Sequence, residues 1–215
     1  MPVDRRRRAL AAALLLAFPL SSAAQVLLED LIRAVANDDA GEVRALLARG
    51  VDANSVDANG EPLLCVAARN GSVRTVQALL AGKANPNTPN AFGDTPLMLA
   101  ALKGDLDTVR ALQAAGAAVN RRGWTPLIYA ATGGHDAVVT FLLQHGAVID
   151  AASPNGTTAL MMAIREHHPE TARVLMGRGA DIHRRNEDGA TALAWARRGN
   201  EEDLVKELRR AGAKD

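Results

Sequence analysis

The amino-acid sequence predicts an all-α protein built from repeated helix pairs. Three observations carry that expectation. Ala, Leu and Gly dominate and aromatic residues make up only 3% of the chain, which favours close helix packing over a sandwich of large aromatic and β-branched side chains. Glycines at 60, 93, 123, 156 and 189 each precede a related string, EPLLCVAA, DTPLMLAA, WTPLIYAA, TTALMMAI and ATALAWAR, at spacings of 33, 30, 33 and 33 residues. A second periodic string follows each one, visible as VRTVQALLAGKA, LDTVRALQAAGA, DAVVTFLLQHGA, ETARVLMGRGA and DLVKELRRAGA, so every unit holds two amphipathic helical segments.

The first 24 residues stand apart. Arg5 to Arg8 form a basic segment, Ala9 to Leu20 an apolar run of 12 residues, and Ser22-Ala23-Ala24 a small-residue cleavage site before Gln25. That order predicts a secretory signal peptide over residues 1–24, by the general secretory route or, on the arginine run, the twin-arginine route. No stretch reaches the ~20 apolar residues of a membrane span, so no membrane association is expected after cleavage. Removing residues 1–24 takes away Arg5 to Arg8 and Asp4, leaving 21 of the 25 Lys and Arg against 23 of the 24 Asp and Glu. The mature net charge is then −2, and the apparent basicity gives no argument for nucleic acid. Cys65 is the one cysteine, which excludes an internal disulfide and a cysteine-based zinc site.

Within each unit the residue types explain the helices. Thr95, Thr125, Thr158 and Thr191 stand where a side-chain oxygen can accept a free backbone N–H, and Pro96 and Pro126 fit the first helical position, where the missing N–H costs nothing. Small residues recur at Ala34, Ala67, Ala100, Ala130, Ala163 and Ala196, letting neighbouring helices approach. Leu46-Leu47, Leu79-Leu80 and Leu142-Leu143 are expected to seal the second helices. Asp39, Ser72 and Asp105 share a capping slot, with Glu42 closing a capping box, and His135, His168 and Glu201 fill that slot in later units. Pro169 fixes the start of one helix, and Glu201 to Arg210 reads as a charged, solubilising terminal helix.

These strings resemble the ankyrin repeat, whose units read roughly G-x-T-P-L-H-x-A-A-x-x-G, then V-x-x-L-L-x-x-G-A and an Asn. Thr95-Pro96-Leu97 and Thr125-Pro126-Leu127 match closely, Thr158-Ala159-Leu160 and Thr191-Ala192-Leu193 approximately. The resemblance implies an ankyrin repeat solenoid of about six helix-turn-helix repeats with short β-hairpin fingers, over 25–56, 57–89, 90–119, 120–152, 153–185 and 186–215. Between the Asn-type residue and the glycine, other junctions hold five residues, whereas Asn120 to Gly123 holds only Arg121 and Arg122. A gap is therefore expected in the row of fingers.

Family members commonly bind through finger tips and the exposed side of the inner helices. By position this implicates Arg69, Asn70, Phe92, Asp94, Leu102, Lys103, Arg121, Arg122, Trp124, Arg165 and Glu166 as partner contacts. Trp124 stands equally well as an anchor for a partner or as cover over adjacent helix ends. Tyr129 and Trp195 occupy a slot shared with Val66, Leu99 and Met162 and are expected to pack, as is Phe141. His167 and His168 lack a third nearby ligand and read as capping-region residues, and Cys65 reads as packing. No nucleophile elbow, phosphate-cradling loop or carboxylate pair occurs, so neither catalytic residues nor cofactor or metal ligands are assigned. The expected function is a non-catalytic, monomeric protein-binding scaffold in the periplasm of a Gram-negative bacterium, with secretion as the alternative. Its implied roles are support of a periplasmic enzyme such as a catalase, or neutralisation of a toxic effector as an immunity protein. A small-molecule-binding protein or enzyme using the concave groove is the reading from another class.

Overall fold

Residues 22–214 are described in this computed structural model. Among them, twelve helices form six consecutive pairs. The first members are α1 (Ser22–Ala36), α3 (Leu63–Asn70), α5 (Pro96–Lys103), α7 (Pro126–Thr132), α9 (Ala159–Arg165) and α11 (Ala192–Arg198). The second members are α2 (Ala40–Ala48), α4 (Val73–Ala81), α6 (Leu106–Ala114), α8 (Asp136–Gln144), α10 (Pro169–Gly177) and α12 (Glu202–Arg210). Each helix packs on its own partner, and all but α12 pack on the equivalent helix of a neighbouring unit, giving an inner row from α1 to α11 and an outer row beside it, which Arg173 and Glu207 extend to α12 by an ion pair. The expected leader lies outside the described residues apart from Ser22, Ala23 and Ala24, which open α1. No helix among the described residues is long and apolar enough to cross a membrane.

The inner helices begin as their sequences require. Thr95, Thr125, Thr158 and Thr191 accept the backbone N–H groups of Met98, Ile128, Met161 and Ala194. Pro96 and Pro126 follow their threonines at the first helical position. The next residue, Leu97 or Leu127, is buried with Ala100 or Ala130 against the adjoining helix. No single pair encloses such a face, so the stack gains its stability at interfaces between units. In the outer row Leu46, Leu79 and Leu142 are buried, and the leucine after each is half-buried.

The outer-helix slot differs from the capping expectation. Asp39 and Asp105 do cap, but Ser72, His135, His168 and Glu201 make no side-chain cap bond. The box at Asp39 is also left open, because its backbone N–H bonds to Ala34 O instead. The histidines reach backwards: Nε2 of His135 lies 2.9 Å from Leu102 O, and Nε2 of His168 lies 3.0 Å from Thr132 O. These carbonyls belong to the end of the previous inner helix, where backbone acceptors lack helical partners. The rings cover Gly104 and Gly134, whose φ angles of +78° and +70° close those helix ends, and a Cβ at either glycine would meet the ring at 2.4 Å. In the equivalent slot His167 itself adopts φ 60°, and its Nδ1 lies 2.7 Å from Glu201 Oε1.

Only two isolated β-bridges, Val56 with Pro62 and Ala152 with Thr158, occur among the described residues. The projecting segments are closed turns rather than ladders. In each, the residue three before the glycine binds the backbone across the tip: Asp57 accepts from Asn59 and Glu61, Asn90 from Phe92 and Asp94, Ser153 from Thr157, and Asn186 from Ala190.

Candidate functional site

The junctions between units have two polar slots three residues apart. The first links each junction to the next: Asn54, Asn87, Asn120 and Asp150 accept the N–H groups of Asn85, Ala118, Val148 and Asp181 at 2.8–2.9 Å. The second is the tip residue that closes the projecting turn. In the short junction one residue must stand in both slots, since Asn120 is three before Gly123. It keeps the first role, accepting from Val148 N at 2.9 Å and donating Nδ2–H to Gly146 O at 2.7 Å. Deleting three residues therefore removes the tip turn and preserves the bond that joins adjacent junctions.

The space at the missing turn is bridged by a side chain. Arg121 Nη1 donates to Gly93 O on the preceding turn, and lies 3.4 Å from Met98 Sδ. On the far side, Pro154 of the following turn approaches Gly123, and Glu187 N donates to Asn155 O, joining the last two turns. Behind Arg121, Tyr129 Oη donates to Asp94 Oδ1 at 2.5 Å, and Trp124 meets the Tyr129 ring edge-on at 6.1 Å and 87°. Burial, then the bond to Asp94 and its charge, raise the Tyr129 hydroxyl above its ordinary pKa, against a smaller opposing effect of Arg121.

The structure thus brings Asp94, Arg121 and Trp124 together and adds Tyr129, which the sequence reading assigned to packing alone. Tyr129 is half-buried, with its ring against the core and its hydroxyl on Asp94. Phe92 is 90% exposed, Leu102 41% and Trp124 37%. Lys103 and Arg122 are exposed nearby in sequence. The other expected contacts are not part of this cluster. Arg69 is exposed and paired with Glu61, beside exposed Asn70. Arg165 pairs with its neighbour Glu166 at 3.4 Å and lies over the Trp195 ring at 5.6 Å.

Arg198, absent from the expected contacts, lies over that same ring at 5.7 Å. The signal for Tyr129 and Trp195 was their slot: each directly precedes the small alanine of its helix, where polar-tipped aromatics stand at the edge of the core. Phe141 is half-buried in the outer row and stacks on His145.

Cys65 is fully buried, and burial first, then the Asp94 charge, pushes its pKa up to about 12. Among the described residues no group of three or more His, Cys, Asp or Glu is placed to hold a metal ion. The surface can bury apolar and cationic side chains against another molecule.

A family model described as ankyrin repeats (3 copies) matches residues 31–122, 64–153, 113–186 and 149–215. The overlap of these matches is what near-equivalent units in tandem produce. Arrays of this family are protein–protein interaction scaffolds and typically non-catalytic. No curated protein matches the chain.

Proposed function

Because this chain belongs to the ankyrin repeat family, we propose that it is an exported scaffold whose concave side binds one partner protein around the short junction. The observation that carries this reading is the grouping of Phe92, Leu102 and Trp124, three exposed large apolar residues, in the two units on either side of residues 120–123. Such residues are costly to leave in water and are the type that anchors interfaces. The basic segment, short apolar run and small-residue site at residues 1–24 support export to the periplasm. In that compartment the resemblance to exported bacterial ankyrin proteins supports an accessory role for a periplasmic enzyme, a catalase being the instance it suggests.

The test is cross-linking of the tagged chain in its host, followed by mass spectrometry. Two variants accompany it: Phe92→Ala/Trp124→Ala, and insertion of Ser-Val-Asp after Asn120, which rebuilds the sequence pattern of Asn54 to Asp57. The expected result is one enriched protein that is lost from both variants while their unfolding midpoints stay near that of the parent. Enrichment unchanged in both variants would overturn the proposed site, and no enrichment at all would overturn the scaffold. A mature chain beginning at Gln25 in the periplasmic fraction is expected; a chain retaining Met1 in the cytoplasm would refute export.

A further inference from the structure

The ends of the inner helices form a row with uneven charge. The last turns and caps of α3, α5, α9 and α11 carry Arg69, Lys103, Arg165, Arg197 and Arg198, against Glu166 alone. The acids beside this row are already engaged. Glu61 pairs with Arg69, Asp94 accepts the Tyr129 hydroxyl, and Glu166 pairs with Arg165. Lys103, Arg121, Arg122 and Arg198 make no ion pair among the described residues: Arg121 is held by a carbonyl and a thioether, and Arg198 lies on an indole face. Trp195 lies under Arg198, and Trp124 follows Arg122 by two residues in the chain.

Resting on the scaffold reading above, we propose that the partner segment seated on this face is acidic. Its carboxylates would lie along Lys103, Arg121, Arg122 and Arg198, and an apolar side chain would meet Trp124. Cations without an ion-pair partner, flanking exposed apolar residues, complement a chain that alternates carboxylates with aliphatic groups. Helix ends favour cations for their own stability, through the partial negative charge of the unpaired carbonyls. That effect accounts for the sign at Lys103 and Arg198. It leaves unexplained Arg121 and Arg122, which sit in a junction before a helix N-terminus, where the same effect disfavours cations.

The probe is a 12-residue peptide of alternating Glu and Leu with Gly at both ends, compared with its Gln and Lys counterparts and with a short DNA duplex. Binding to the full folded chain is read by the fluorescence of Trp124 and Trp195. The Glu peptide is expected to bind about tenfold or more tighter than the Gln peptide, the gain that a few exposed ion pairs give together, and to weaken as salt rises. Lys103→Glu/Arg198→Glu and Arg121→Glu/Arg122→Glu should each remove most of that preference. Arg74→Glu, on the exposed side of α4, should not.

Equal binding of the Glu and Gln peptides, no binding of either, or equal loss in Arg74→Glu would overturn the inference. Binding of the DNA duplex as tightly as the Glu peptide would also overturn it, replacing an acidic protein segment by any polyanion. So would variants that lower the unfolding midpoint and leave affinity unchanged, since that is the helix-end effect alone. A failed peptide series beside a cross-linked protein lost from the Phe92→Ala/Trp124→Ala variant would refute the charge assignment and leave the scaffold standing. Failure of both would remove the two together.

Discussion

Tyr129→Phe removes one hydroxyl and little else. The phenyl ring keeps its edge against Trp124, so the apolar contact survives. What is lost is the 2.5 Å bond to Asp94 Oδ1, in which a neutral donor meets a carboxylate. Such bonds contribute about 1.5–3 kcal/mol, and the half-exposure of both partners places this one near 1.5 kcal/mol. For a chain of this size that corresponds to a fall of roughly 4 °C in Tm. Tyr129 is the one tyrosine in the chain, so the ultraviolet absorbance of phenolate reads this group alone.

Its folded pKa lies above the unfolded value near 10, through burial first and Asp94 second. The hydroxyl's contribution is therefore fully present below about pH 10 and is lost as pH rises through the folded value. Absorbance should stay flat at pH 10, where a free tyrosine is half ionised, and rise only at higher pH, together with unfolding. Asp94→Asn should bring the absorbance midpoint down towards 10. A parent midpoint near 10, with Tyr129→Phe as stable as the parent, would show that the bond is solvated away and that Tyr129 is held by its ring packing alone.

Three further outcomes follow from single residues. Cys65, with a folded pKa of about 12 against 9.0 for an ordinary thiol, should resist thiol reagents at pH 8. Stability should fall between about pH 9 and 12, and Cys65→Ala should flatten that fall; rapid labelling of the native chain would refute it. Asn120→Ala breaks two bonds between adjacent junctions and should cost about 1–2 kcal/mol, read as faster hydrogen exchange at the Val148 amide, whereas unchanged exchange would show that the junction is held elsewhere. The Trp195 indole N–H is buried and has no hydrogen-bond partner among the described residues, so Trp195→Phe should cost less than about 1 kcal/mol by urea unfolding; a larger loss would mean that the indole ring's packing outweighs its orphaned donor.

The parts of this fold that were legible in the sequence are those whose physical cause is local. Thr95 accepts from Met98, three residues on, so the residue type and its spacing carry the whole interaction. The same holds for the inner-helix starts at Thr125, Thr158 and Thr191. His135 and His168 were misread because their acceptors lie 33 and 36 residues back in the chain, while the slot alone suggested a local cap. Tyr129 was half legible. Its period placed it on the inner face, but its bond to Asp94 spans 35 residues and arises only when two units are stacked. Arg121 was recognised as part of an unusual junction, yet its reach across the missing turn to Gly93 depends on the neighbouring unit.

The short junction shows why such an array can change its binding surface without changing its stack. Of the two polar slots in each junction, the one filled by Asn54, Asn87, Asn120 and Asp150 bonds from one junction to the next. The tip slot bonds only within its own turn, as Asn90 does to Phe92 and Asp94. A deletion that spares the first slot thus removes local bonds along with the residues that needed them, and leaves no buried group unpaired. The free-energy change is then limited to the small entropy of a shorter loop, and insertion after Asn120 should be tolerated for the same reason. Stability is set by the helices and the first slot, while the shape presented to a partner is set by what lies between that slot and the glycine. Trp124 and the Arg121–Arg122 pair lie where the second can vary independently of the first.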